Sequence, residues 1–233
     1  MDTVADKRVL VTGGARRVGA AICRRFAAAG AALIIHCHRS RAEAEALAAE
    51  LPGTGHRVIS ADLADPGAAA ALLAGLPEQP DYLINNASCY VREETPDFQA
   101  YCQQVNVHSP IRLIRDFAAS GGMAAVNLLD QAVLRPVAAN ETFYLQSRRE
   151  LAAATVSLAL AFAPATRING VAPGPVLPPA WLPGGTMAKT TATLPLRRPV
   201  GLEELAEAVF FMTVNPSITG AILPVDCGQH LIP

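Results

Sequence analysis

Thr12-Gly13-Gly14-Ala15-Arg16-Arg17-Val18-Gly19 decides the fold. It follows the apolar run Val9-Leu10-Val11 and precedes a helical pattern that continues to Ala29. A strand, a glycine turn and a helix in that order form a nucleotide cradle. Glycine lets the backbone approach a pyrophosphate, and the helix N-terminus offers its amide N–H groups. Gly13, Arg16, Arg17, Val18 and Gly19 are therefore expected cofactor contacts. The usual three-glycine version of this loop has a glycine where Arg17 stands. A cation there can bind a phosphate, or it can narrow the choice of substrate.

Outward from the loop, strand-like and helix-like patterns alternate to the end of the chain. The predicted strands are 8–12, 32–37, 57–60, 82–85, 124–129, 167–171 and 221–225. The predicted helices are 18–29, 41–51, 67–76, 97–119, 141–163 and 202–214. Most of the strands are near-continuous apolar runs, as parallel strands covered on both faces should be. Alternation at this spacing gives right-handed βαβ units and one doubly wound α/β domain over 1–233, with helices on both faces of a parallel sheet. The Pro/Gly-rich stretch 173–183 follows the sixth strand, at the edge where ligands bind in such folds. It is read as the start of a substrate lid over about 175–199; a disordered surface loop is the alternative.

Composition narrows the partners. The 233 residues suit one domain with a sizeable core. A net charge of -1 argues against nucleic acid or an anionic membrane. Met1 to Asp6 has neither the basic start nor the apolar core of a signal peptide, and the apolar stretch 151–165 is too short to span a bilayer. The five scattered cysteines read as reduced thiols, so a cytoplasmic setting is expected. No CxxC occurs, and His36 and His38 lack a third clustered ligand, so no metal is expected.

The second strand ends in His36-Cys37-His38-Arg39-Ser40. An NAD-binding fold usually carries Asp or Glu here for the adenosine ribose. His38, Arg39 and Ser40 offer instead a guanidinium and a hydroxyl suited to a 2′-phosphate, which points to NADP(H). Ser40 also serves as an ordinary helix N-cap, and both roles can hold at once. Asp62 and Leu63, after the third strand, are placed toward the adenine. Asn86, Ala87 and Ser88, after the fourth, wall the cleft.

Here the chain resembles the short-chain dehydrogenase/reductase family over nearly its whole length. The resemblance rests on the loop at 12–19, Asn85-Asn86-Ala87, Asn106 in Val105-Asn106-Val107, Tyr144 followed by Ser147, and Pro173-Gly174. It implies a seven-stranded Rossmann sheet, Pro173 and Gly174 at the cofactor, and a catalytic Tyr, Lys, Ser and Asn. Tyr144 and Asn106 match. Arg148 stands for the Lys and Asp130 for the Ser. Asp130 is similar to the pteridine reductases, in which an Asp joins the Tyr in protonating the substrate. Arg17, the two histidines before Arg39-Ser40, and Tyr90 after Asn86-Ala87-Ser88 resemble the same subgroup. The resemblance implies an NADPH-dependent reductase of a dihydropterin, dihydromonapterin or dihydrofolate, and a homotetramer paired through the long helix 141–163 with its small-residue run Leu151-Ala152-Ala153-Ala154.

In this reading Tyr90 stacks on a flat pterin, and Ser88 and Arg17 bond its edge. Pro175 and Trp181 line the substrate side. Arg148 lowers the pKa of Tyr144 and bonds the nicotinamide ribose. Plainer readings stand beside these: Asp130 as a cap or a partner of Arg135 or Arg148, Tyr90 as a loop aromatic, Trp181 as a loop anchor, Cys89 and Cys227 as packing residues.

Overall fold

The computed structural model describes residues 3–90, 95–178 and 185–232. Seven parallel strands form one sheet: β1 (Arg8–Val11), β2 (Ala32–Cys37), β3 (Arg57–Ser60), β4 (Tyr82–Asn85), β5 (Ala124–Leu128), β6 (Arg167–Pro173) and β7 (Ile222–Val225). Their order is β3-β2-β1-β4-β5-β6-β7, so the winding reverses between β1 and β4. That reversal opens a crevice at the carboxyl ends of the strands.

Strand pleating divides the core into two layers. Val9, Val11, Tyr82, Ile84 and Val126 face one side, where they meet α1 (Arg17–Ala28), α2 (Arg41–Glu50) and α8 (Leu202–Val214) through Phe26, Leu47 and Val209. Leu10, Leu83 and Ala125 face the other side. There α3 (Ala68–Ala74), α5 (Ser109–Ala119) and α6 (Phe143–Phe162) contribute Leu72, Phe117 and Leu158. Polar side chains link strands and helix in the second layer: Asn85 donates to Asn127 at 2.9 Å, and Asn127 to Thr155 at 2.8 Å.

Two elements depart from the sequence reading. The helix expected at 97–119 is split into α4 (Pro96–Gln103), a wide π-type turn (Gln104–His108) and α5. Periodicity does not reveal one extra residue per turn, and such turns gather where a side chain must be re-aimed; here it is Asn106, fully buried. The segment expected as a lid carries a helix, α7 (Gly185–Ala192), and its base is closed by the Val200 N–H donating to the Pro175 carbonyl at 2.9 Å. The small-residue run on α6 is partly internal: Leu151 and Ala152 pack against Leu129 and Ala172. No helix among the described residues is long and apolar enough to cross a membrane.

Candidate active site

The glycine loop is held in shape from three sides. Gly13 has φ +62, in the left-handed region that favours glycine. A Cβ on Gly19 would fall 2.2 Å from the Gly13 carbonyl oxygen, so that position admits only glycine. The Asn86 amide donates to the Thr12 and Gly13 carbonyls at 2.9 and 3.0 Å, and the Thr12 hydroxyl accepts from Asn86 and Ala87 N–H. His36 closes the third side. Its Nδ1 accepts the Gly13 N–H at 3.2 Å, which leaves Nε2 to donate to the Ala61 carbonyl at 3.1 Å. Burial pulls the His36 pKa down to about 4, so the ring stays neutral and this bridge persists at physiological pH.

Arg17, where the usual three-glycine loop has a glycine, keeps a left-handed backbone. Its φ is +55, a conformation that costs a non-glycine residue about 1 kcal/mol. Its guanidinium donates to the Pro178 carbonyl at 2.8 Å, tying the loop to the segment after β6. No acidic side chain occupies the first turn of α1, so the positive end of that helix stands open to a phosphate.

Below the loop lies a cavity of about 560 Å³. Every expected cofactor residue before β5 lines it: Gly13, Arg16, Arg17, Val18, Gly19, His38, Arg39, Ser40, Asp62, Leu63, Asn86, Ala87 and Ser88. Three arginines face one carboxylate there, and Asp62 is itself 3.4 Å from His38. The end of β2 carries no carboxylate, and Arg39 and Ser40 line the cavity there. Glycine backbone, helix end and cationic rim thus fit a phosphorylated dinucleotide. Pro173, Gly174 and Pro175 do not border this cavity. Gly174 is instead pressed on the chain at Asp226, where a Cβ would come within 2.8 Å of the Asp226 Cα. Trp181 lies outside the described residues.

Ser88 joins the cavity to the second group, at the end of β5. The Arg148 guanidinium, 2% exposed, donates to the Ser88 hydroxyl and, at 3.2 Å, to the Leu128 carbonyl. Its Nε is buried with no hydrogen-bond partner among the described residues. Its charge centre sits 5.2 Å from the centroid of the Tyr144 ring, a cation–π contact. The Tyr144 hydroxyl donates to Asp130 at 3.4 Å, and the other carboxylate oxygen accepts the Ala132 N–H at 2.9 Å. Asp130 therefore caps a turn and meets Tyr144 at once. Tyr90 stands edge-on to Tyr144, ring centroids 5.0 Å apart. Asn106 holds both Cys89 backbone groups and the Ser147 hydroxyl, which fixes the chain beside Ser88.

Burial dominates the protonation of this corner. It pushes Tyr144 up to about 12, with Arg148 opposing and Asp130 reinforcing the rise. It also raises Asp130, against the Ala132 N–H and Arg148. The expectation of a lowered Tyr144 is thus corrected: Arg148 pulls in that direction, but desolvation of a buried phenol outweighs it. Tyr144 keeps its proton at physiological pH, and burial shifts Asp130 toward its protonated form.

Several neighbours escaped the sequence reading. Cys89, Val105 and Tyr101 line the cavity. Cys89 rests 3.2 Å from the Cys102 sulfur, and burial raises its thiol. Arg149 clamps the loop before Tyr144: it pairs with the buried Glu141 at 2.8 Å and donates to the Val133, Arg135 and Pro136 carbonyls. Only the spacing of Tyr101 and Val105 on one helical face was visible in the sequence.

A family model described as enoyl-(acyl carrier protein) reductase matches residues 13–230. The chain is 32% identical to cis-4-hydroxycyclohexanecarboxylate dehydrogenase of Sinomonas cyclohexanicum over 254 residues, 99% of both chains. Among solved structures it is similar to FolM alternative dihydrofolate reductase 1 from Brucella canis, complexed with NADP: 32% identity, TM-score 0.89, covering 99% of this chain and 96% of that one. The Brucella suis protein, also with NADP, gives 33%, 0.88, 99% and 97%. The chain belongs to the short-chain dehydrogenase/reductase family of oxidoreductases.

Proposed function

We propose that the protein is an NADPH-dependent reductase of a pteridine ring, of the dihydropterin, dihydromonapterin or dihydrofolate type. One observation carries the reading: a carboxyl group, where most of the family has a serine, stands against the Tyr144 hydroxyl, and burial raises the pKa of both. The likeness to the two FolM dihydrofolate reductases supports it. Bound NADPH supplies the hydride. Tyr144 and Asp130 supply the proton, Tyr90 offers an aromatic face to a flat substrate, and Arg17, Ser88 and Pro175 contact its edge. Arg148 steadies charge developing on Tyr144 and, through Ser88, links this corner to the cofactor.

Purified protein should oxidise NADPH in the presence of dihydrobiopterin, dihydromonapterin or dihydrofolate. No oxidation with any of the three would remove the substrate claim. The dehydrogenase of Sinomonas cyclohexanicum favours a second reading, reduction of a ketone, and a carbonyl-compound screen separates the two. Arg148→Lys tests the departure from the family: faster turnover would mean that Arg148 weakens the machinery, unchanged turnover that it already serves. We also propose a cytoplasmic homotetramer. Val156 and Leu160, apolar, exposed and one turn apart on α6, support self-association, and light scattering measures it.

A further inference from the structure

The nucleotide cavity has a wall that no motif predicts. Tyr101 on α4 and Val105, four residues later, both line it, in company with Arg39, Asp62 and Leu63. Tyr101 lies in the last turn of α4 and Val105 in the widened turn that follows, and the cavity brings the two side chains together. The Tyr101 ring packs nearly parallel to Phe98, with centroids 6.4 Å apart and planes inclined by 24°, which holds its orientation. It is nevertheless 38% exposed, more than packing alone requires of an aromatic side chain. Its phenol is raised by burial and then by Asp62, with Arg39 opposing, so the hydroxyl remains neutral beside those two groups. Arg39 follows β2 and Asp62 follows β3, which puts the ring at the end of the cavity away from Asp130 and Tyr144.

We infer that Tyr101 is the aromatic wall of the adenosine end of the site, a face on which the adenine ring stacks. The inference rests on the NADP(H) reading of the cavity. That end otherwise offers two aliphatic side chains and several charges, and a flat base gains most from a flat, half-exposed ring. Base–aromatic stacking of this kind is worth about tenfold in affinity.

Calorimetric titration of the purified full-length chain tests it with NADPH, adenosine 2′,5′-bisphosphate and nicotinamide mononucleotide. Tyr101→Ala should weaken NADPH and the adenosine fragment about tenfold each and leave the nicotinamide fragment unchanged. Tyr101→Phe, which keeps the ring, should stay within about twofold. Should the alanine variant melt early, Tyr101→Leu replaces it with the same expectation. Unchanged affinity of the alanine variant for the adenosine fragment overturns the inference. So does a phenylalanine variant as weak as alanine, which would assign the effect to the hydroxyl. Failure of the unaltered protein to bind NADPH would instead overturn the cofactor reading, and the inference with it.

Discussion

The glycine loop and the corner at the end of β5 are built on opposite principles. The loop is shaped by backbone: Gly13, Gly19, the Thr12 hydroxyl and the amides they serve are paired, and a neutral histidine locks them. The corner is made of long side chains brought in from β5, the loop after β4 and α6. There a cation is buried with one N–H unpartnered among the described residues, a phenol and a carboxyl meet at 3.4 Å, and desolvation raises both acids. The difference teaches that binding and proton transfer place different demands on one crevice. A cradle needs exact shape and tolerates no added atom. The corner instead holds its acids where ionising is costly.

Substitutions can break or sharpen this contrast. The largest effect is expected in the corner. Tyr144→Phe should lower turnover by about 10³-fold, within the range for losing a general acid, while the NADPH dissociation constant stays put. A parallel loss of NADPH affinity would show that the two regions are not separable. Gly19→Ala is the mirror image. Its new methyl meets a backbone oxygen that cannot move aside, so NADPH affinity should fall about 100-fold. Equilibrium binding measures it, and wild-type affinity would show that the loop can shift.

Arg149→Met probes what holds the corner together. It strands the buried Glu141 and frees three carbonyls, and should destabilise the fold by about 2–3 kcal/mol in urea unfolding. Asp130→Asn separates stability from chemistry. Asp130 holds its proton more tightly folded than unfolded, so the stability linked to it is complete below the ordinary carboxylate range and is lost as pH rises through its raised value. The amide cannot ionise. It should therefore melt higher than the parent at neutral pH, by an amount that shrinks as pH is lowered, while turnover drops. A variant that melts lower at pH 7 would mean that attraction to Arg148 outweighs desolvation.

The smallest effect is expected at Arg17. Arg17→Gly relieves a left-handed residue, worth about 1 kcal/mol, and loses the bond to Pro178, worth a similar amount. The melting temperature should move by less than about 3 °C. A larger drop would show that this bond anchors the segment after β6.

Much of the cradle was legible because it depends on local order. A glycine at 13 or 19 and an arginine at 39 declare themselves in the chain, and strand–helix alternation puts them at one sheet edge. The corner was legible only by likeness to a family. Asp130 and Tyr144 could be named, but the sign of the Tyr144 shift could not, since burial is a property of the packed molecule.

The sequence alone determined the doubly wound sheet, through apolar strands at regular spacing, and the phosphate loop, through glycines that no other residue can replace. Only the tertiary structure decided that Asn106 sits in a widened turn, that Arg148 reaches Ser88, that Arg149 clamps the loop before Tyr144, and that Tyr101 borders the cavity. These contacts join residues that lie on different elements or depend on a local change of helical pitch. Periodicity records which face of an element is apolar, not which side chains meet when the elements pack.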